Sequence, residues 1–98
     1  MVLRLPLPSV QPRILMQRLG YAEFTDPRSG EVSYTRRLGT NFYPRFHVYL
    51  DPKSDHLRLN LHLDQKQPSY AGFTKHSGEY DGPTIEAESD RLYQALSK

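Results

Sequence analysis

Polar residues alternate with apolar residues in two stretches of this chain, 45–50 and 57–64. The polar positions carry imidazole, carboxylate and guanidinium groups, which can bind anions, move protons or hold a metal ion. Alternation with a period of two is typical of strands, so these groups should share one face of a sheet. With one lysine that follows them, we predict that they form a ligand-binding surface: Arg45, His47, Tyr49, Arg58, Asn60, His62, Asp64 and Lys66.

Histidine is the side chain most often used as a general acid or base near neutral pH. The chain has four histidines, of which His47, His62 and His76 are our candidates for catalysis. Two of them, with a cation such as Arg45 to hold a phosphate, suffice for a nuclease-like hydrolysis with or without a metal ion. A small histidine-dependent hydrolase is therefore one alternative for the function.

Histidine and carboxylate side chains also form zinc and manganese sites. In the strand pairing predicted below, however, His47 and His62 are diagonal neighbours about 7–8 Å apart. The sequence also contains no His-x-His and no His-x-x-x-His spacing. We therefore predict no metal site and no cofactor.

Aromatic residues stand beside arginines in the segments 34–37 and 42–45, and residues 1–50 contain seven arginines, no lysine and three acids. Arginine binds phosphate through a planar fork and stacks on rings, and a sheet face that combines tyrosine with arginine can stack bases. The main prediction is a small binding module for RNA or another phosphate-rich ligand, and not an enzyme.

A second charged region lies near the end of the chain. Five acids and no base lie between Glu79 and Asp90, and such a segment can contact a basic protein partner. A protein-interaction domain that uses residues 79–90 is therefore the third alternative.

The elements that position these groups follow from periodicity and from turn residues. Pro6 and Pro8 predict an extended tail over 1–9. Ser9 is a suitable N-cap and Gly20 a suitable end for a helix over 10–19. A second helix is predicted over 85–96, capped by Thr84, after a long loop over 65–83 with no periodic pattern.

Two hairpins are predicted between the helices. Strands 21–25 and 31–38 flank the turn residues Asp26–Gly30, with Gly30 at positive φ, so that Phe24 pairs with Val32. Strands 43–50 and 57–64 flank a turn over 51–56, so that Leu50 pairs with Leu57. In that register His47 lies opposite Asn60, and Tyr49 stacks on Arg58.

The predicted fold is α+β, with two layers and the order α-β-β-β-β-α. A four-stranded antiparallel meander sheet carries an N-terminal and a C-terminal helix on one face, and residues 10–98 form a single domain. This order is similar to the double-stranded-RNA-binding fold, which HicA-type bacterial toxins share. The similarity is one of architecture, because this chain has an additional strand and a longer loop before its last helix, and no site residue is transferred from it.

The composition excludes several classes of site. The chain has 98 residues and no cysteine, which excludes disulfides, thiolate metal ligands and a cysteine nucleophile. No apolar stretch approaches the ~20 residues that a membrane-spanning helix requires. We predict a cytoplasmic location, with no membrane partner.

Overall fold

The computed structural model describes residues 1–65 and 82–96, and the backbone of residues 78–79. His76 and Lys66, two of the predicted site residues, lie outside the described residues. In chain order the elements are β1 (Val2–Leu5), α1 (Pro12–Arg18), β2 (Ala22–Thr25), β3 (Val32–Arg37), β4 (Arg45–Pro52), β5 (Leu57–Asp64), β6 (Gly78–Glu79) and α2 (Pro83–Leu96).

The strands form an antiparallel sheet in the order β1-β5-β4-β3-β2. The predicted α+β class is confirmed, but the predicted count of four strands is wrong because the segment 1–9 is not a simple extended tail. Leu3 and Leu5 are fully buried while Val2 and Arg4 are exposed, so this short segment alternates as a strand does. It pairs with β5 until Pro6, which has no N–H for the next ladder bond.

The segment predicted as the loop 65–83 also contributes to the sheet. Gly78–Glu79 pair with Leu63 and Asp64 at the end of β5 that β1 leaves uncovered. The backbone after the long segment therefore returns to the strand that carries His62 and Asp64.

The two helices are close to their predicted positions, with corrections at their ends. The first helix begins at Pro12, whose missing N–H costs nothing in a first turn. It ends before Gly20, which has a positive φ of 93°. Gln11 precedes this helix without a side-chain capping bond, so the prediction that Ser9 is the N-cap is wrong. The second helix begins at Pro83, slightly before the predicted start. In the described part of the chain, no helix is long and apolar enough to cross a membrane.

Both helices pack on the same face of the sheet, as predicted. Met16 of α1 and Ile85 and Leu92 of α2 are fully buried against the alternate residues of the strands. The core residues are Leu3, Leu5, Met16, Tyr21, Tyr34, Phe46, Val48, Leu57, Leu59, Leu61, Leu63, Ile85 and Leu92. The other face of the sheet carries the polar row.

The first hairpin turns where predicted, but its register differs by one residue. The Asp26 N–H donates to the Glu31 carbonyl, and Gly30 has φ 76°, so the loop contains four residues rather than five. Phe24 consequently pairs with Ser33 instead of Val32. A shift of one residue moves a side chain to the opposite face, and Phe24 lies with the polar row instead of in the core.

The second hairpin is shifted by two residues from the predicted register. The Lys53 N–H donates to the His56 carbonyl, which closes a tighter turn and pairs Leu50 with Leu59 rather than with Leu57. Because the shift is even, every side chain keeps its predicted face. Its consequence is that His47 lies directly opposite His62, and the prediction of a diagonal pair is wrong.

Candidate functional site

Two histidines and an aspartate meet on the open face of the sheet. The ring centroids of His47 and His62 are 5.0 Å apart. One ligand atom from each of His47, His62 and Asp64 lies within 4.8 Å of the others. Strands β4 and β5 create this cluster, because cross-strand partners approach closely and Asp64 follows His62 by two residues on the same face.

Hydrogen bonds fix the ring of His47 at both nitrogens. Its Nδ1 lies 2.9 Å from Oδ2 of Asp64, and its Nε2 lies 2.7 Å from Oγ of Ser33 on β3. A carboxylate only accepts hydrogen bonds, so Nδ1 of His47 is the donor to Asp64, and the Ser33 hydroxyl is the partner of Nε2. His47 and Ser33 are both buried, and this chain of bonds holds the imidazole in one orientation.

The electrostatics of the cluster favour an ionised Asp64 and a neutral His62. Burial raises the pKa of Asp64, but the hydrogen bond from His47 and the charges of His47, His62 and Arg45 outweigh burial and leave the pKa below its ordinary value. Burial lowers the pKa of His62, and the attraction of Asp64 only partly offsets this effect. Neutral imidazole and ionised carboxylate are the protonation states that bind metal ions.

Arg45, predicted to bind a phosphate, is instead buried beneath aromatic rings. Its guanidinium carbon lies 4.5 Å from the ring centroid of Phe42 and 4.8 Å from that of Tyr43. Its Nε donates to Asp64 at 3.4 Å. Only 8% of Arg45 is exposed, so its charge supports Asp64 and is not available to a backbone of phosphates in solvent.

Tyr49 also has a different partner from the one predicted. Its ring stacks on His47 at a centroid distance of 4.7 Å and lies 5.6 Å from His62. Arg58 instead approaches Asp51 at 3.9 Å, because the register places these two residues opposite each other. The predicted stacking of Tyr49 on Arg58 is therefore wrong.

A cavity of about 280 Å³ opens over the cluster, and we call it the cup. Besides the cluster, Ser33 and Arg45, its lining consists of three aromatic rings and two acids: Phe24, Tyr43, Tyr49, Asp26 and Glu31. Burial raises the pKa of Tyr49, and the negative charges of Glu31, Asp64 and Asp26 raise it further. Apart from the histidines, the described residues of the lining carry three carboxylates and one guanidinium, which give two net negative charges.

The remaining predicted residues lie beyond the cup along the same face. Arg58 and Asn60, with Tyr49 and Asp51, line a second cavity of about 140 Å³. A larger cavity of about 390 Å³ lies on the helix side, between the segment 6–10 and the end of α2, and Arg18 is its single charged residue among those described. The titratable cluster therefore belongs to the cup.

Five residues that line the cup are absent from the predicted site: Phe24, Asp26, Glu31, Ser33 and Tyr43. Ser33 could have been predicted from the alternation of β3, because Tyr34 beside it lies in the core and neighbouring residues of a strand point to opposite faces. Phe24 was assigned to the wrong face by the one-residue register error described above. Tyr43 lies outside regular structure before β4, and no pattern in the sequence signals its position.

The arrangement decides between three chemical interpretations. A ribonuclease-like pair requires two histidines that exchange protons with a substrate, whereas both nitrogens of His47 are hydrogen-bonded within the protein. The bonds from Ser33 through His47 to Asp64 have the order of a serine hydrolase triad, but Ser33, although it lines the cup, is only 2% exposed, which disfavours its attack on a substrate carbonyl. The remaining interpretation is a metal site of two imidazoles and one carboxylate.

Comparisons of the chain with protein-family models, with curated proteins and with solved structures found no match. The functional argument therefore depends on the geometry and the charges of the cup.

Proposed function

We propose that the protein is a small metal-dependent hydrolase whose His47, His62 and Asp64 hold a divalent transition-metal ion at the cup. The observation that carries this proposal is the convergence of three ligand atoms within 4.8 Å in a negatively charged cavity. Two histidines with one carboxylate are a recurrent ligand set of catalytic zinc and of non-haem iron. The sequence prediction of no metal site rested on a register that the structure does not have.

The distances in the cluster suit such an ion. Ligands about 2.0–2.1 Å from a tetrahedral zinc lie about 3.3 Å from each other. Nδ1 of His47 and Oδ2 of Asp64 are 2.9 Å apart, and the widest separation of 4.8 Å needs to close by about 1.5 Å, which side-chain rotation can supply.

Ser33 supports the metal-bound state as well as the empty one. When Nδ1 of His47 binds an ion, the proton of the ring must lie on Nε2. Its hydroxyl partner, 2.7 Å away, can then accept this proton's hydrogen bond, since a hydroxyl both donates and accepts. Hydrogen bonds from outer partners of this kind orient metal-bound histidines and raise their basicity.

The charge of the cup favours a cation over an anion. Its two net negative charges are neutralised by one divalent ion, whereas a free phosphate would be repelled in the absence of the ion. Three protein ligands leave a coordination position for water, and water bound to such an ion loses a proton near neutral pH. The aromatic rings of Phe24, Tyr43 and Tyr49 line the same cup.

The proposal is tested by isothermal titration calorimetry of the protein with Zn²⁺ and with Mn²⁺. We expect binding of one ion and a loss of affinity in His62→Ala greater than the 10–100-fold that loss of an outer partner costs. His56→Ala is the matched control, because His56 lies in the β4–β5 turn against Asp55. Circular dichroism in EDTA shows whether each variant is folded.

Hydrolysis of bis(4-nitrophenyl) phosphate tests the activity of the same protein. Turnover should require the bound ion, stop in EDTA and be absent from His62→Ala. Hydrolysis of an activated ester that persists in EDTA and depends on Ser33 would support a triad instead. Absence of metal binding by the wild-type protein would refute the proposal.

One finding argues against the use of the whole acidic segment 79–90 as a protein-interaction surface. Glu88 is 4% exposed and faces Tyr21 and Arg91, whereas Glu86 and Asp90 on the same helix are exposed. Asp81 lies outside the described residues. The acidic face of α2 that remains for a partner is therefore smaller than the sequence suggests.

A further inference from the structure

We propose that the substrate of this site is a single-stranded nucleic acid, which lies along the open sheet face from the cup to a pair of arginines, Arg4 and Arg58. This inference rests on the proposed function, and it identifies the substrate class of that same site. Its basis is a line of three features on the polar face, each formed by described residues.

The first feature is an arginine pair that the sheet register forces together. Arg4 of β1 and Arg58 of β5 are cross-strand partners, and like charges in that position repel. Their side chains are 69% and 49% exposed, and their contacts with Asp55 and Asp51 are long, at 3.6 and 3.9 Å. Exposed guanidinium groups held together in this way bind phosphate oxygens well.

The second feature is a continuous path between the arginine pair and the cup. Tyr49 lines both the cup and the smaller cavity, which Arg58 and Asn60 also line. Arg58 precedes His62 by four residues of β5, which corresponds to about 13 Å along a strand. An oligonucleotide can cover that distance, whereas a mononucleotide that occupies the cup cannot reach the arginines.

The third feature lies between the two ends and suits a base. Asn60 pairs with Val2 on one side and with Tyr49 on the other, and Val2 is 53% exposed. An aromatic ring and an exposed aliphatic side chain offer a surface for stacking, and the amide of Asn60 can bond a base edge. The described residues of the path all lie along one sheet face, which suits a single strand with unstacked bases.

The charges also order the binding events. In the described lining of the cup, three carboxylates outnumber one guanidinium, which disfavours a phosphodiester, and a bound divalent ion offsets that excess. Nucleic acid and metal ion should therefore bind with positive coupling, and each should increase the affinity for the other by the same factor.

In the hydrolytic step the oxygen of one water bonds to phosphorus and one P–O ester bond breaks. The leaving oxygen takes one proton of that water, and the other proton passes to solvent or stays on the new phosphate monoester.

The experiment measures the fluorescence anisotropy of a labelled oligothymidine of about eight nucleotides, with metal-loaded protein and with protein in EDTA. A gel of the probe after each titration reports any cleavage. We expect affinity to be at least about tenfold higher with the ion, and to fall with salt. The double variant Arg4→Gln/Arg58→Gln should reduce the salt slope by about 1.4, since each single-strand phosphate contact contributes about 0.7.

Arg18→Gln is the matched control, because Arg18 is exposed on α1 at the helix side of the sheet. This variant should bind as the wild type does. Metal binding that depends on His62, together with oligothymidine binding that the double variant leaves unchanged, would overturn the nucleic-acid inference and leave the metal site intact.

Two further outcomes are decisive. Inorganic tripolyphosphate that competes as strongly as unlabelled oligothymidine would overturn the inference, because charge alone would then account for binding. Equal affinity in EDTA and with the ion would overturn it too, since the coupling argued above would be absent. A protein that binds no metal fails the proposed function first, and calorimetry without nucleic acid detects that case separately.

Discussion

The carboxylate of Glu88 should stabilise the fold more than any exposed acid of α2. Its Oε2 accepts from the Tyr21 hydroxyl at 2.5 Å, and Arg91 donates to both oxygens at 2.7 and 2.9 Å. Arg91 also donates to the Leu19 carbonyl at the end of α1. One carboxylate therefore ties α2 to α1 and to the residue that precedes β2.

The magnitude for Glu88→Gln follows from these contacts. Nη1 of Arg36 also lies 3.5 Å from Oε1 of Glu88. Hydrogen bonds to charged groups contribute about 1.5–3 kcal/mol each, but the side chains of Arg36 and Arg91 are 36% and 38% exposed, so water solvates each guanidinium once its bond to Glu88 is lost. Discounting those bonds leaves a loss of about 2–3 kcal/mol. Tyr21→Phe removes a single bond of the network and should cost about 1 kcal/mol.

Urea denaturation followed by circular dichroism measures both variants. With a slope near 1 kcal/mol/M, Glu88→Gln should lower the midpoint by about 2–3 M. Glu86→Gln is the matched control, since Glu86 is exposed in the first turn of the same helix, and it should change stability by no more than about 0.5 kcal/mol. If Glu88→Gln costs no more than the control, the carboxylate does not stabilise the fold and the reasoning from its contacts is wrong.

The same carboxylate gives the stability a pH dependence of definite sign. Burial raises the pKa of Glu88, but the hydrogen bonds of Arg91 and Tyr21 and the arginine charges leave it below its ordinary value. A folded-state pKa below the unfolded one means that this stabilisation is complete above about pH 5 and is lost as pH falls through the folded value. Tyr21 remains a donor throughout, because burial and then Glu88 raise its pKa. The difference between wild type and Glu88→Gln should therefore shrink on acidification from about pH 5 to 3.

Three other predictions test the turn, the added strand and the orientation of His47. Gly30→Ala should cost about 1 kcal/mol in urea denaturation because Gly30 has φ +76°. The cost comes from the backbone conformation alone, since the added Cβ meets no atom within 4 Å. Gly39 does not have a positive φ, so Gly39→Ala should be neutral. Leu3→Ala should cost about 3 kcal/mol and Val2→Ala less than about 0.5 kcal/mol, and equal effects would mean that β1 does not dock. Ser33→Ala should weaken Zn²⁺ binding by about 10–100-fold in calorimetry, and an unchanged affinity would contradict its role as the partner of Nε2.

The faces of β4 and β5 were predictable from the sequence, whereas their register was not, and in the first hairpin the register error also moved Phe24 to the wrong face. Alternation assigns each side chain of β4 and β5 to a face, and an even shift preserves every assignment. Pairing Leu50 with Leu57 or with Leu59 buries the same kind of apolar row, so periodicity cannot choose between the two. The turn decides, and a bond between Lys53 and His56 is set by local geometry that composition does not reveal.

The candidate site as a whole depends on the two-residue shift between the predicted and the observed register of β4 and β5. In the predicted register His47 would face Asn60, and in the observed one it faces His62 and lies beside Asp64. A shift of two residues in register therefore separates a surface with scattered histidines from three side chains whose ligand atoms lie within 4.8 Å of one another. A strand pattern can predict which residues share a face, but the site depends on which residues are cross-strand partners.

The chemistry of Arg45 shows the corresponding limit for charges. From the sequence it is one of several cations on a polar face, equivalent to Arg58 as a phosphate ligand. In the structure Arg45 lies under Phe42 and Tyr43 and bonds Asp64, whereas Arg58 is exposed opposite Arg4. Burial thus makes one arginine a partner of the Asp64 carboxylate and leaves the other exposed on β5, so that the proposed metal-binding and anion-binding groups lie at opposite ends of one face.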